Sequence, residues 1–427
     1  MPRTPAVEHS FAAACPLPVG PGPSPCGAGA GPGAGAVDAD VGGAVLRTAR
    51  AVLAERVAQA SEIDASFADE LAGRVRDFTL EGGKRLRPRL LWWGMRACGA
   101  GDATAEAALR LGVALELIQT CALIHDDVMD RSRLRRGKPA VHIGLAASAG
   151  LAPESERGSA FGTSAAVLAG DLALVWADDT VAETALPAPV RRRVGAIWRS
   201  MRTEMVAGQF LDLRGQAAGD SSAARALRTA CLKSALYSVE RPLLLGAALA
   251  DADERTTAAL RLAGRGAGIA FQLRDDLLGV FGDPGLTGKP SGDDIREGKP
   301  TYLLAVARER AGAAGDGGAL DVLGRAVGNP DVTEDDLGNV RAVLEATGAR
   351  AHVEREAEHL GEEAVRRLGE AVDVGSYAGR QLLALVRAVS GGRSGPSAPA
   401  PAADEGPHGH DGRADQTLTT AEGGHSR

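Results

Sequence analysis

The feature that most constrains this chain is a long apolar run that begins at Leu109 and ends in the acidic stretch DDVMD, residues 126–130. A helix that is apolar on nearly all of its sides is a buried helix. Asp126 and Asp130 are four residues apart, so a helix places both carboxylates on one face. The sequence therefore predicts a buried helix that ends in a pair of carboxylates.

The charges around this helix end predict a metal site beside an anion site. Two carboxylates at the mouth of a buried helix repel each other and lose hydration, so a cation has to compensate them. Paired carboxylates suit Mg²⁺, which takes its other ligands from water and from substrate phosphates. A basic cluster follows at once: Arg131, Arg133, Arg135, Arg136 and Lys138. An acidic helix end with a solvated basic loop is the alternative interpretation.

The second half of the chain repeats this arrangement. Another apolar helical pattern ends in Asp275-Asp276, and the basic stretches around Lys289 and Lys299 come after it. If the two apolar helices face each other, they hold several Mg²⁺ ions between them.

Lysine is rare in this chain, since five of the 48 Lys and Arg residues are lysines. All five lie in motif-like stretches: Lys84, Lys138, Lys233, Lys289 and Lys299. An ammonium is a compact point charge that the flat fork of arginine does not replace at a phosphate. Lys84 and Arg87 follow two glycines, a pattern that suits anion binding at a helix start. Lys233 lies in an otherwise apolar helix and needs a counter-charge, which a diphosphate would supply. Two alternatives involve no ligand. The few lysines can be a result of compositional drift, and Lys84 with Arg87 can form a basic helix cap.

Between its two ends the chain has a helical pattern throughout. Segments rich in Ala, Leu, Arg and Glu recur without Val/Ile/Thr alternation, which predicts an all-α fold, a single large bundle of ten or more helices around a central cavity. One Gly- and Ser-rich connection, Ala146 to Ser164, interrupts it. Residues 1–42 and 393–427 cannot bury enough apolar surface, so we expect disordered tails around a folded all-α domain of residues 43–392.

Bulk properties argue against several other functions. A formal net charge of −7 and an aromatic content of 3% disfavour nucleic-acid binding. The five cysteines include no CxxC pair, so we expect neither a disulfide framework nor a zinc site, and a reducing cytoplasm fits. No apolar run has the length of a transmembrane segment, and the first residues lack the pattern of a signal peptide.

Five ordered stretches resemble the trans-isoprenyl diphosphate synthases, the family of farnesyl and geranylgeranyl diphosphate synthases. They are GGKRLRP, DDVMD, LRRGKP, the helix with Lys233, and FQLRDD through GKPSGDD, and the resemblance covers about residues 45–390. It implies an isoprenoid-synthase bundle, a homodimer, and Mg²⁺-dependent head-to-tail condensation of isopentenyl diphosphate with an allylic diphosphate.

The resemblance also implies roles for individual residues. The residues that bind Mg²⁺ are Asp126, Asp130 and Asp275, which with Lys233 form the catalytic set. The residues that hold the allylic diphosphate are Arg135, Lys233 and Lys289, and Gln272 adds to substrate binding. The residues that hold isopentenyl diphosphate are Lys84, Arg87, Gln119 and Arg136. One departure is Gly279, because the second acidic motif of the family is usually DDxxD; Asp283 is the carboxylate expected to compensate.

The helix before Asp126 predicts the product length. The growing prenyl chain runs down this helix and first meets Cys121 and Ala122, which are small where relatives that stop at fifteen carbons often carry an aromatic residue. Ile118 and Leu117 lie roughly 5–6 Å deeper, which is about one isoprene unit. We therefore expect geranylgeranyl diphosphate, with twenty carbons; farnesyl diphosphate and longer chains are the alternatives.

Three other functions fit parts of the pattern. A class I terpene cyclase and a squalene-type condensing enzyme share the helical fold and the first acidic motif, but GGKRLRP and LRRGKP would be of no use to them. A non-catalytic regulatory or scaffold homologue is the third, motivated by Gly279 and by the two tails.

Overall fold

The computed structural model describes residues 33–218, 222–282 and 291–391, and in this part of the chain it is almost entirely helical. The helices of the first half are α1 (Ala34–Ala39), α2 (Val41–Ile63), α3 (Ala65–Phe67, continued by the π-helical turn Ala68–Ala72 and by Gly73–Leu80), α4 (Leu86–Ala97), α5 (Ala105–Met129), α6 (Val141–Ser148), α7 (Glu156–Glu183) and α8 (Ala188–Ala218). A short hairpin of β1 (Leu134–Arg135) and β2 (Lys138–Pro139) lies between α5 and α6. The all-α prediction is confirmed.

The second half continues the helical bundle. Its helices are α9 (Ala223–Ala230, continued by the π-helical segment Cys231–Glu240 and by Arg241–Leu249), α10 (Glu254–Phe281), α11 (Asp293–Arg296), α12 (Tyr302–Ala314), α13 (Gly317–Ala326), α14 (Glu334–Ala346), α15 (Ala349–Ala371) and α16 (Tyr377–Ser390). The main core surrounds α5, and a second apolar cluster lies among α12, α14 and α15. Helix α10 contributes Ala263 and Ala267 to the first cluster and Leu273 and Val280 to the second, so it joins the two halves.

Helix α5 is buried on nearly all sides, as its sequence predicts. It packs against α2, α4 and α7, and its few polar side chains are paired inside the protein. Glu116 accepts a hydrogen bond from the buried guanidinium of Arg85, and the Thr120 and Thr79 hydroxyls lie 2.9 Å apart. Because buried polar groups are costly unless they are paired, these contacts fix how α4 and α3 sit on α5.

Close helix contacts hold the segment of α9 that carries Lys233. A Cβ atom at Gly268 of α10 would lie 2.6 Å from the Ala235 carbonyl oxygen, and one at Gly208 of α8 would meet the backbone of Lys233 itself. A larger residue at either position would push the helices apart. The lysine is therefore placed by backbone packing from two sides.

Two boundary predictions were wrong. We expected the folded domain to start at residue 43, but helix α1 begins at Ala34, and Asp38 accepts hydrogen bonds from Trp92 and Arg96. We also expected a long connection over residues 146–164, but α6 extends to Ser148 and α7 starts at Glu156. The glycines there serve close packing, since Gly162 lies against the backbone of α6. The remainder of both predicted tails lies outside the described residues.

Among the residues that the structure describes, two helices are long and apolar enough to span a membrane, contrary to our sequence-based expectation. In the segment Asp102–Met129, 72% of the 18-residue apolar stretch is buried inside the protein, whereas in α7 39% of the corresponding stretch is buried. A core helix meets the same criterion, so α5 gives only weak support for a membrane span. On α7, by contrast, the apolar side chains of Phe161, Leu168 and Val175 are exposed.

Candidate active site

The carboxylates at the end of α5 are each paired with a cation. Asp126 lies 3.2 Å from the Lys233 ammonium and 3.7 Å from the Arg135 guanidinium. Asp130 is nearly buried and lies 3.2 Å from the Lys299 ammonium. Burial and the neighbouring Asp126 raise the pKa of Asp130. Cations contributed by three other segments therefore compensate the acidic helix end.

Asp127 anchors the basic hairpin to this helix end. Its carboxylate is fully buried and accepts a hydrogen bond of 2.8 Å from Arg135 Nε, and burial raises its pKa although Arg135 opposes that shift. The two-residue turn of the hairpin, Arg136-Gly137, has a positive φ at both positions, as a tight hairpin turn of the primed type requires. The turn and the buried ion pair together aim Arg135 at Asp126.

Lys233 is held between two carboxylates. Its ammonium lies 2.7 Å from Asp212 on α8 and 3.2 Å from Asp126 on α5. Burial lowers the pKa of Lys233, but these two carboxylates more than offset that effect, and the net pKa is raised. The lysine is thus kept charged at the edge of the acidic cluster.

Lys299 joins the two acidic regions. Its ammonium lies 3.2 Å from Asp130 and 3.7 Å from Asp294, and 2.6 Å from Glu297. Burial opposes its charge, yet Asp294 and Asp130 raise its pKa overall. Lys299 is therefore a charged side chain facing the first acidic motif from the far half of the chain.

The second acidic motif presents one exposed and one buried carboxylate. Asp275 is exposed at the surface of α10, whereas Asp276 is buried. The Gln272 amide donates a hydrogen bond of 2.9 Å to Asp276, and burial raises the pKa of this carboxyl group well above its ordinary value. Gln272 thus acts on Asp276 in this structure, and Asp275 is the one of the two that is accessible to a ligand.

A second basic group lies around the start of α4. The Arg87 guanidinium donates to Ser238 Oγ at 2.8 Å and stacks over the ring of Tyr237 at 4.2 Å. The Tyr237 hydroxyl in turn donates to the Gln119 side chain at 2.8 Å. Arg87 and Gln119, predicted for one substrate, are therefore linked through a buried tyrosine.

Lys84 and Arg136 lie near this second basic group at the start of α4. Lys84 is exposed in the loop before α4, and the salt bridge of 2.8 Å between Lys138 and Glu81 brings the hairpin to that loop. Arg136 lies over the Phe78 ring at 5.3 Å, and burial with a contribution from Arg85 lowers its pKa. Lys289 lies outside the described residues.

The residues predicted to limit chain length lie along α5 as expected. Leu117 and Ile118 are fully buried, Cys121 is 3% exposed, and Ala122 is partly exposed. The Cys121 thiol lies 3.7 Å from His125 Nδ1, and burial raises its pKa to about 12. A thiol with so high a pKa is un-ionised at neutral pH, so its size rather than its reactivity matters here.

The donor set fits a hard divalent cation that shares its ligands with a substrate. Carboxylate oxygens are the donors that Mg²⁺ and Ca²⁺ take. Within residues 33–218, 222–282 and 291–391, no three acidic, His or Cys side chains converge closely enough to hold a metal ion unaided. Asp126, Asp130 and Asp275 would hold such an ion only together with other ligands, as Mg²⁺ does with phosphate oxygens and water.

Some residues of this site were not predicted from the sequence. The ion pair between Asp212 and Lys233 was not predicted. Asp127, Tyr237 and the buried pair of Arg85 and Glu116 were not predicted at all. Lys299 was singled out by its rarity and by its place in a basic stretch after the second acidic helix, but its contact with Asp130 was not predicted.

This fold and site define a class of protein, the all-α enzymes that bind diphosphates between two acidic helix ends. Residues 69–335 match the family model described as polyprenyl synthetase, and the chain belongs to that family of trans-isoprenyl diphosphate synthases. The predictions of family, fold and prenyltransferase class are thereby confirmed.

The known relatives that the chain resembles have names that specify different products. The chain is 32% identical over 347 residues to geranylgeranyl diphosphate synthase of Mycobacterium tuberculosis, covering 79% of this chain and 91% of the relative. It is 32% identical over 292 residues to geranylfarnesyl diphosphate synthase of Aeropyrum pernix, covering 68% and 84%. A crystal structure of geranylgeranyl pyrophosphate synthase from Corynebacterium glutamicum, complexed with isoprenyl diphosphate and magnesium, matches with a TM-score of 0.74 and 38% identity over 82% of this chain and 99% of that one.

Replacing Lys233 with methionine should destabilise the metal-free protein. Asp212 is 10% exposed and loses the cation that compensates it, so we expect a loss of about 1–3 kcal/mol in the free energy of unfolding. Adding Asp212→Asn should recover part of the loss, since the unpaired charge is then gone. Lys138→Met, at an ammonium that is 66% exposed, is the control and should change stability by less than about 0.5 kcal/mol.

Urea unfolding of all four proteins in the presence of a metal chelator measures these differences. A Lys233→Met protein as stable as the wild type would show that the contacts of this lysine contribute nothing to folding.

Proposed function

We propose that this chain condenses isopentenyl diphosphate with an allylic diphosphate in a Mg²⁺-dependent head-to-tail reaction and releases geranylgeranyl diphosphate. The observation that carries the proposal is the set of cations, Lys233, Arg135 and Lys299, that surrounds the carboxylates at the end of α5. The carboxylates of this cluster can bind metal ions, and the cations beside them can bind a diphosphate.

The allylic diphosphate binds at the end of α5. Asp126, Asp130 and Asp275 hold Mg²⁺, while Arg135 and Lys233 contact the phosphate oxygens and Lys289 is proposed to join them. When bound, Mg²⁺ supplies electrostatic stabilisation of the leaving diphosphate. The side chains are fixed beforehand, since Arg135 is bonded to buried Asp127 and Lys233 to Asp212. They therefore need little reorganisation when charge develops on the leaving group.

Isopentenyl diphosphate takes the basic group at the start of α4. Lys84, Arg87 and Arg136 provide the positive charge, and Gln119 is held by Tyr237 on the same side. The C–O bond of the allylic diphosphate breaks, the isopentenyl double bond attacks the resulting cation, and a proton leaves to the released pyrophosphate. The apolar side chains of α5 exclude water that would otherwise quench the cation.

The product length is proposed to depend on the α5 side chains along which the growing prenyl chain runs. Cys121 and Ala122 are small, whereas Ile118 and Leu117 are fully buried one turn deeper. A prenyl chain passing Cys121 therefore has room for about one more isoprene unit than a chain stopped there. This favours twenty carbons over fifteen, and the named relatives with C20 and C25 products are compatible with an open wall at this point.

The proposed assembly is a homodimer, in which two copies of this chain pack against each other. On α7, Phe161, Leu168 and Val175 recur every seven residues and are 41%, 59% and 53% exposed. The opposite side of α7, built from small residues, is covered by α5. An exposed apolar stripe on a long helix marks an interaction surface, and a self-complementary stripe forms a two-fold dimer.

The compartment is proposed from the cysteines. Cys98, Cys121 and Cys231 are unpaired in the described part of the chain, which fits a reducing cytoplasm.

The test of the function is an assay of purified protein with Mg²⁺, isopentenyl diphosphate and an allylic primer. Asp126→Ala should lower kcat by about a hundredfold or more, since a group that stabilises charge in the transition state is lost. Asp321→Ala, at an exposed carboxylate of α13, is the control and should keep wild-type turnover. Elongated product and pyrophosphate release are measured together; absence of both with every primer would favour the scaffold alternative.

Cys121→Phe should shorten the product towards farnesyl diphosphate, because the ring fills the space that the fourth isoprene unit needs. Product chains are identified by mass spectrometry. Cys121→Ala adds no bulk and should keep the wild-type length. If Cys121→Phe still made the wild-type product in wild-type proportion, the floor of the pocket would have to lie on another helix.

Leu168→Glu should convert the dimer to monomer, because a charge at the centre of an apolar contact costs several kcal/mol unless it is paired. Light scattering coupled to size-exclusion chromatography measures the molar mass. Ile63→Glu, at an apolar side chain that is 71% exposed at the end of α2, is the matched control. A wild-type protein that is monomeric at all concentrations would contradict the proposal.

A further inference from the structure

A pocket that the proposed reaction does not use lies between α7 and α8. Its volume is about 500 Å³, which is within the range of sites that bind small organic molecules. Part of its lining is apolar, from the side chains of Val181, Leu186, Val194 and Trp198. Another part is basic, from the side chains of Arg191, Arg192, Arg199 and Arg202. The pocket therefore combines a positively charged lining with an apolar one.

The arginines come from the first half of α8. Arg192, Arg199 and Arg202 are spaced by seven and three residues, so the helix places them on one face. Gly195 lies on the same face, and Arg199 Nη1 lies 3.4 Å from the position that a Cβ atom would have there. The first turn of α8 contains no acidic residue, so the positive end of the helix dipole adds to the charge of the arginines.

Most of this positive charge is not compensated within the protein. The carboxylate that lines the pocket is Asp178, and both of its oxygens are engaged, one by Trp198 Nε1 at 2.7 Å and the other by Arg202. In the part of the chain that the structure describes, no carboxylate oxygen lies within 4.0 Å of the guanidinium nitrogens of the other three arginines. Guanidinium groups gathered in one pocket repel one another, and a bound anion removes that repulsion.

The donors of the pocket suit a phosphate group. Arg202 Nε is buried and has no hydrogen-bond partner among the described residues, which is costly for a charged donor. Each guanidinium presents a flat fork of N–H groups that matches the oxygens of a phosphate. A phosphate accepts from several arginines at once, because it presents three oxygens where a carboxylate presents two.

We propose that this pocket binds an organic phosphate or diphosphate that carries a short apolar group. The phosphate oxygens accept hydrogen bonds from Arg192 and Arg199, and the apolar group is buried against Val194 and Trp198. The arginines supply the positive charge, so binding needs no metal ion. The site is separate from the candidate active site, to which α8 contributes Asp212 from its other half, and the inference does not rest on the proposed function.

Geranyl diphosphate is the probe, in the presence of a metal chelator. Its binding is followed by tryptophan fluorescence, and Trp198→Phe should remove the ligand-dependent change because the other three tryptophans do not line the pocket. Inorganic pyrophosphate lacks the apolar group, and geraniol lacks the charge. Each should bind at least about tenfold more weakly than geranyl diphosphate, since each loses one of the two contributions.

Arg192→Gln combined with Arg199→Gln should weaken binding of geranyl diphosphate by at least about tenfold, because hydrogen bonds to charged groups contribute that much or more. Both side chains are exposed, and the melting temperature of the variant establishes that it is folded. The matched control is Arg255→Gln combined with Arg325→Gln. It removes the same charge from exposed positions on α10 and α13 and should bind the probe as the wild type does.

The proposed dimer surface offers a competing occupant for the pocket. Ala182 lines the pocket and follows Val175 by seven residues, which is the spacing of Phe161, Leu168 and Val175 along α7. The Leu168→Glu protein, which we expect to be monomeric, is therefore titrated beside the wild type. The two proteins should bind geranyl diphosphate with the same affinity.

Three results would overturn the inference. An arginine double variant that binds geranyl diphosphate like the wild type would show that the ligand binds elsewhere. Geraniol that binds as tightly as geranyl diphosphate would show that the arginines contribute nothing. Binding by Leu168→Glu alone would show that a second copy of the chain covers the pocket in the assembled protein.

Discussion

Compensation of like charges is the constraint on which the rest of this structure depends. The carboxylates at the end of the buried helix α5 can remain charged only if cations lie within a few ångströms. Lys233, Arg135 and Lys299 meet that need from three different segments, at 3.2 to 3.7 Å from Asp126 and Asp130. The cations that stabilise the metal-free protein are then in place to receive a diphosphate.

Backbone packing decides where these cations can be. Lys233 lies on a π-helical segment that α8 and α10 approach closely through Gly208 and Gly268. Arg135 lies on a hairpin that buried Asp127 holds against α5. Small residues such as Gly208 and Gly268 let the helices approach each other closely. In this way charged side chains from distant segments are brought to one place.

Much of the fold and part of the site could be predicted from the sequence, because they depend on local pattern. The apolar run before Asp126 specifies a buried helix, and rarity of lysine drew attention to Lys233 and Lys299. The start of α1 and the glycines after Ala146 were misread, because composition does not show that a small residue is packed against a neighbouring helix. Asp212 could not be assigned either, since its partner is on another helix.

The sequence by itself determined the all-α class and the two acidic helix ends, because helical periodicity and motif spacing are properties of neighbouring residues, and its five ordered stretches indicated the family by resemblance. Only the tertiary structure decided which cation pairs with which carboxylate, that Tyr237 holds Gln119, and that Asp294 lies against Gly279. These contacts join residues distant in sequence, and their existence depends on how closely the helices approach, which is set by packing across the whole bundle rather than by any single segment.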